Sequence, residues 1–281
     1  MYNIGSFAIS SLPAVKFDGV YRVLAALESP PEALAAFPRF SQRLGAAPLP
    51  DSQWGEIDLS WYANPIWDQG MTSSCVGQAV TAGTQLVNLQ MGRPKVEFDP
   101  YFTYAWINGG RDAGSFISDA LKSLQTNGAC LKGDLPSGAM FQNQLTQQAV
   151  ENGKRFRLSL AYHCKSFEEI CSAITLGFVS PLGIYVDDNF SRLDSEGVSG
   201  TPMGGQGGGH AILGLGLKKS SRYGWLIKIQ NSWGPRFGNK GYSYIHKGHF
   251  QRMHPDAFAI QMMIEDPKDN SPEDEVPVVV S

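Results

Sequence analysis

Cys75 stands six residues after Gln69 in the stretch Asn64 to Ala79, NPIWDQGMTSSCVGQA. It opens a run in which Val76, Ala79, Val80, Gly83, Leu86 and Val87 recur at the i, i+3, i+4, i+7 spacing of one buried helix face. Ser73 or Ser74 can cap that helix, and Gly92 before Arg93-Pro94 can stop it. A thiol in the first turn sits near the positive end of the macrodipole, which favours the nucleophilic thiolate. The plain alternative is that Cys75 is a small buried hydrophobe, as most free cysteines are. Local sequence does not separate the two, because thiol reactivity depends on what surrounds it.

Two distant stretches bear on the choice. His210 enters an apolar strand directly after Gly207-Gly208-Gly209, and Asn231 begins Asn-Ser-Trp-Gly (Asn231 to Gly234), followed by Phe237-Gly238 and Gly241-Tyr242. With these residues the chain resembles the papain-like cysteine peptidases, bacterial or phage members more than lysosomal ones. That family carries a Gln-Gly-x-Cys-Gly-Ser-Cys segment, a Gly-His-Ala strand and Asn-Ser-Trp-Gly, in this order. The order holds here, from about Ile57 to about Glu265. The resemblance implies Cys75 as nucleophile, His210 as base and then acid, and Asn231 as the group that orients the imidazole. It implies Gln69, with the Cys75 backbone N–H, as the oxyanion donor pair. Gly114-Ser115 occupies the place of a backbone pair that binds an extended substrate strand, with an ordinary loop as the equal alternative. Trp233 would cover the His–Asn bond and border the substrate. No cofactor or metal is implied.

The chain departs from the family in places. Thr72 replaces the cysteine that usually forms a disulfide near the nucleophile, Val76 and Phe237 replace tryptophans, and Gly209 precedes His210 where a polar residue is common. The first two apolar exchanges read as repacking. His163, His246, His249 and His254 lack a comparable setting and read as surface or core histidines. Cys164 and Cys171 beside His163 lack the close cysteine pairing of a zinc site. The glycine run before His210 leads into a strand, not a helix N-terminus, so it does not read as a phosphate loop.

The elements that must position these groups follow from pattern. Asp99-Pro100 caps a short aromatic helix. A glycine-punctuated loop, Gly109 to Ser115, leads to a helix through Ala120, Leu121 and Leu124 that ends at Asn127-Gly128. Gln142 to Gly153 reads as a polar surface connection. Ser166-x-x-Glu169 is a capping box before a helix ending at Gly177. Strands are expected at Val179 to Val186, His210 to Leu217, Trp225 to Gln230, Gly241 to His246 and Ala257 to Ile264. Helices first and strands afterwards predict an α+β fold. The resemblance makes it two-lobed: a helical lobe packed against an antiparallel β-barrel lobe, with the active cleft between.

Residues 1–55 have a different texture, broken by Pro30-Pro31, Pro38, Pro48 and Pro50, with short helices expected at Glu32 to Phe37 and Arg39 to Leu44. This N-terminal extension is expected to dock on its own domain, limiting access to Cys75, or on a partner. Residues 56–265 form the peptidase-like domain and residues 266–281 an acidic disordered tail. The 281 residues are 42% hydrophobic and 17% charged, with formal net charge −3, values of a globular protein that give no reason to expect nucleic acid or an anionic membrane as partner. No apolar run reaches transmembrane length and the N-terminus does not read as a secretory signal, so a cytoplasmic, reducing setting is expected. The partner is then a protein or peptide substrate and the reaction peptide hydrolysis through a thioester acyl-enzyme. Transfer of the acyl group to an amine, or a binding or structural protein that keeps the fold without catalysis, are the alternatives.

Overall fold

The computed structural model describes residues 12–45, 47–62, 65–250 and 256–263. The tail at 266–281, His254 and Asn64 lie outside them. In chain order the elements are β1 (Ala14–Phe17), β2 (Val20–Val23), β3 (Ala26–Leu27), α1 (Pro31–Ala35), α2 (Phe40–Arg43), β4 (Ile57–Asp58), α3 (Cys75–Gln90), α4 (Pro100–Ile107), β5 (Ser115–Phe116) and α5 (Ile117–Thr126). They continue with α6 (Gln147–Gly153), β6 (Leu158–Cys164), α7 (Phe167–Thr175), β7 (Ser180–Asp187), β8 (Gly207–Ser220), β9 (Gly224–Gln230), β10 (Tyr242–His246) and β11 (Asp256–Met263).

α3 is the hub. Every residue from Cys75 to Asn88 is buried, because the helix is wedged between α4 and α5 on one side and the sheet on the other. Val76, Val80, Leu86 and Val87 share one core with Leu213 of β8 and Ile260 of β11. Gly77 lets α4 come close: a Cβ there would lie 2.9 Å from the Pro100 carbonyl oxygen. The caps of α4 and α7 form as their sequences predict, Asp99 accepting from Tyr101 N–H and Ser166 from Glu169 N–H. The return arm of the second box differs: the Glu169 carboxylate accepts from Lys165 N–H, one residue before the cap. At α3, neither Ser73 nor Ser74 caps with its side chain. Ser74 Oγ instead bonds to Thr72 Oγ1 at 2.7 Å and accepts from Gln78 Nε2 at 3.2 Å.

The main sheet is antiparallel, in the order β10-β9-β8-β7-β11-β6, with β4 pairing on β8. All five expected strands are present within a few residues. The sheet is open between β10 and β6, so the barrel expected from the resemblance is not closed. Two further differences are informative. Leu158–Cys164 is an unexpected strand that extends the sheet beyond β11, and the supposed surface connection ends in α6, whose Ala149 is buried against Phe102. The second core lies on the other face of the sheet, where Phe40, Ile170, Ile174, Leu182, Ile212 and Ile229 come together.

The N-terminal segment packs onto the rest. β1 and β2 form a hairpin closed by Asp18-Gly19, both at positive φ (51° and 79°), the backbone a two-residue turn needs to match strand twist. β3 pairs in parallel with β5, Ala26 opposite Ser115 and Leu27 opposite Phe116. α1 and α2 appear about where expected and seat Ala33, Phe37 and Phe40 in the interior.

Candidate active site

The start of α3 and the ends of β8 and β9 meet at one point. β8 carries His210, opposite Ile184 of β7, and β9 ends at Gln230, so Asn231 emerges beside the same strand. His210 Nε2 lies 2.8 Å from Asn231 Oδ1. That oxygen also accepts Ser232 N–H at 2.8 Å. The amide is thus turned with its oxygen toward the ring. Nε2 carries the hydrogen, and in the neutral imidazole Nδ1 is left as a bare, buried base without a partner. Trp233 is 1% exposed and lies over the ring, centroids 4.9 Å apart. Phe190 and Phe237 pack behind it.

The Cys75 thiol is fully buried. Backbone N–H groups of Ala211, next to His210, and of Ala25, in the N-terminal segment, are directed at it. Burial pushes its pKa up, and those N–H groups offset only part of the effect. This corrects the sequence-based expectation of a depressed thiol. A helix start favours thiolate, but the sulfur is buried, and desolvation of a thiolate outweighs a partial charge. Burial likewise pulls His210 down to about 4, against the Asn231 hydrogen bond. In this state the pair is a neutral thiol beside a neutral imidazole.

Gln69 is held on three sides. Its N–H donates to Ser232 O at 2.9 Å and its Oε1 accepts from Ser232 Oγ at 2.8 Å. Its Nε2 donates to Thr72 O at 3.0 Å and to Val23 O at 3.2 Å. The side-chain donor therefore points at a carbonyl of the N-terminal segment. Ser73 N–H and the Tyr104 hydroxyl both donate to Asp112 Oδ1, at 2.7 and 2.6 Å, and pin the turn before Cys75.

Pro13 to Ser29 run through this groove. Gly208 lies against Pro13 and Leu24, and its absent side chain makes room: a Cβ would sit 2.4 Å from Pro13 Cγ. Ala25 O accepts from Ser115 N–H at 3.1 Å. Gly114, at φ +91°, would place a Cβ 2.3 Å from that same oxygen, so only glycine admits the strand there. Phe17 packs on Trp233 and Phe237, each 5.8 Å away. Arg22, 2% exposed, donates to the Asp68 carboxylate through both terminal guanidinium nitrogens, Nη1 and Nη2, and Asp18 pairs with Arg236.

All seven residues singled out from the sequence thus lie in or beside one groove. Sequence reasoning missed Asp68, Asp112 and Ser232, lone polar residues whose partners lie far along the chain. Of the remaining histidines, His249 is buried with Nε2 on Ser199 O at 3.0 Å, and His163 is buried beside Phe258. The four cysteines are free thiols. Among the described residues, no three His, Cys, Asp or Glu side chains gather as metal ligands, and no helix is long and apolar enough to cross a membrane.

Comparison with known proteins agrees with this fold. Xylellain, a cysteine protease from Xylella fastidiosa, superposes with a TM-score of 0.71 at 19% identity, over 85% of this chain and 96% of its own. Procathepsin B S9 from Trypanosoma congolense gives 0.67 at 16% identity, covering 86% and 87%. The cysteine protease and lectin-like domains of Cwp84, a surface layer associated protein of Clostridium difficile, give 0.59 at 16%, covering 74% and 51%. No curated protein sequence matches the chain. The model of the papain family cysteine proteases matches residues 108–262, which include Gly114, Ser115, His210, Asn231 and Trp233 and stop short of Gln69 and Cys75. With more than half its length matched, the chain belongs to the papain family of cysteine proteases.

Proposed function

We propose that this cysteine peptidase cleaves peptide bonds with Cys75 as nucleophile and His210 as the base that takes its proton. Asn231 holds the imidazole in the tautomer that leaves Nδ1 free, and His210 later returns the proton to the leaving amine. The carbonyl carbon is attacked by sulfur, and the oxyanion is received by Gln69 Nε2 and the Cys75 N–H. Water then hydrolyses the thioester. The observation that carries this reading is the His210–Asn231 bond of 2.8 Å, with Nδ1 buried and unpartnered on a residue whose neighbour, Ala211, directs its N–H at the thiol. The Val23 carbonyl on Gln69 Nε2 supports the same reading, since a peptide oxygen already rests on the donor assigned to the oxyanion.

Residues 13–29 then act as a plug, occupying the substrate's lane along Ser115–Phe116 and excluding water from the thiol. The partner is a protein or peptide substrate. The test is a substitution series assayed on an unstructured protein substrate. Cys75→Ala and His210→Ala should each remove nearly all activity, whereas Asn231→Ala and Gln69→Ala should retain measurable fractions. Loss of one oxyanion donor costs roughly 10²–10³ in kcat. Wild-type turnover by His210→Ala would overturn the assignment.

A further inference from the structure

A buried polar atom that finds no protein partner calls for a specific account, because leaving it unpaired is costly. One such atom among the described residues is Asp256 Oδ1, at the start of β11, on a carboxyl 3% exposed whose Oδ2 accepts from Ser29. Three others belong together. Gln78 Oε1, Gln230 Oε1 and Asn231 Nδ2 are each buried and unpartnered, and their side chains line one small cavity between α3 and the end of β9. These residues are 2%, 5% and 2% exposed. The cavity measures about 10 Å³, the space a single water needs. Much of the remaining wall is apolar, Ala79, Ala82 and Ala211 among it. Ser232 and Trp67 also line it, but they donate their side-chain hydrogens to Gln69 and Glu97.

The far end of each amide fixes which atom is left over. Asn231 Oδ1 accepts from Ser232 N–H and faces His210, so Nδ2 turns away. Gln78 Nε2 donates to Ser74 Oγ at 3.2 Å, and Gln230 Nε2 donates to Pro65 O at 3.2 Å. Both Oε1 atoms are therefore left without a donor. The unpaired set is one donor and two acceptors. One water completes it, accepting from Nδ2 and giving one hydrogen to each Oε1. Buried waters typically make about three such bonds to groups that lack other partners.

We propose that a single water bound by Gln78, Gln230 and Asn231 is a fixed part of the active site, and that the two glutamines are positioning residues for Asn231. This rests on the reading of Asn231 as the group that orients His210. Gln78 lies three residues after Cys75 on α3, and Gln230 directly precedes Asn231. The water thus ties the helix of the nucleophile to the strand end that holds the base. Its effect is on the direction of one amide. If the Asn231 amide turned over, its N–H groups would face His210 Nε2, and the ring hydrogen would have to move to Nδ1. The base would then be blocked at the atom that takes the Cys75 proton. A water whose two hydrogens are held by Gln78 and Gln230 presents only lone pairs to Asn231, so it admits Nδ2 and rejects Oδ1.

The first measurement is a crystal structure of the full chain at a resolution that shows ordered water. A water should stand about 2.7–3.2 Å from Asn231 Nδ2, Gln78 Oε1 and Gln230 Oε1. A site without it, or side chains turned to bond one another directly, overturns the proposal. The second is ¹⁵N NMR of the His210 imidazole near pH 7, assigned by the signals lost in His210→Ala. The wild type should show the tautomer with hydrogen on Nε2. Gln78→Met and Gln230→Met keep length and remove the acceptor. Each should move part of the population to the Nδ1–H form and lower kcat roughly tenfold with KM little changed. Because both act through one water, the double variant should lose less than the product of the two single losses. Wild-type tautomer and kcat in both variants, or losses that multiply, overturn the positioning role. Asn231→Ala with the kcat of the wild type would instead strike the orienting role of Asn231, and this proposal with it, whatever the crystal shows at the site.

Discussion

At Cys75 two local effects oppose each other. The helix start favours thiolate, and burial beneath Ala25 disfavours it; burial is the larger. The consequence is measurable on the full chain. Iodoacetamide should modify Cys75 slowly near pH 7, and the rate should climb with pH past the ordinary thiol value of about 8.5, because little thiolate exists below it while the plug is seated. A plateau already reached at pH 6 would mean that the thiol is ionised in the seated state and that the plug does not dry it. Cys75, Gln69, His210 and Asn231 were legible in the sequence because each sits in a short word with its own backbone requirement. Asp68, Asp112 and Asp256 were not. A lone aspartate has the same appearance on a surface loop as in a buried cluster, and only the fold brings Arg22, Ser73 and Ser29 to them.

Among the elements, the β1–β2 hairpin matters most for access, and the sequence pattern was not read as one. Its signal was present: Asp18-Gly19 stands between the alternating stretches Ala14–Phe17 and Val20–Val23. The prolines and the spacing of Leu34, Phe37, Phe40 and Leu44 point to helices, which do form further along. β6 was missed for a related reason. Its outward residues, Ser159 and Leu160, do not alternate cleanly, and it is a strand chiefly because β11 pairs with it. The hairpin is tied down by Arg22 on Asp68. Arg22 is buried whereas Asp68 is 47% exposed, so water screens part of the pair. Arg22→Ala leaves a buried hole in the plug and removes both bonds to the carboxylate. It should therefore shift the segment toward release, raising kcat/KM of the full chain several-fold and speeding Cys75 alkylation by a similar factor. If both rates match the wild type while the variant stays folded, the hairpin does not control access.

Across the whole molecule, the sheet has one core against α3 and another against α7, and the groove opens where its strands end beside α3. The α+β class and the pairing of helices with sheet could be read from the change of period along the chain. The open edge between β10 and β6 could not, since closure depends on strand tilt and register rather than on residue pattern. Stability carries the mark of Asp256. In the unfolded chain its carboxyl ionises near the ordinary 3.8, but the fold resists ionisation until about 6. The folded state thus holds the proton more tightly, and its stability falls as pH rises from about 4 through about 6, the loss being complete above that. Asp256→Asn cannot ionise and escapes this loss. The variant should gain on the wild type between pH 4 and pH 8 by at most about 3 kcal/mol, the linkage value of a shift of roughly two units. For a chain of this size that is a widening of the Tm difference by up to roughly 5 °C. His210, drawn the other way, is common to both proteins and cancels. Such a gain would mean that the wild type tolerates a destabilising carboxylate where a neutral amide serves the fold better. A Tm difference that does not change with pH would mean that Asp256 is already ionised and satisfied in the folded chain.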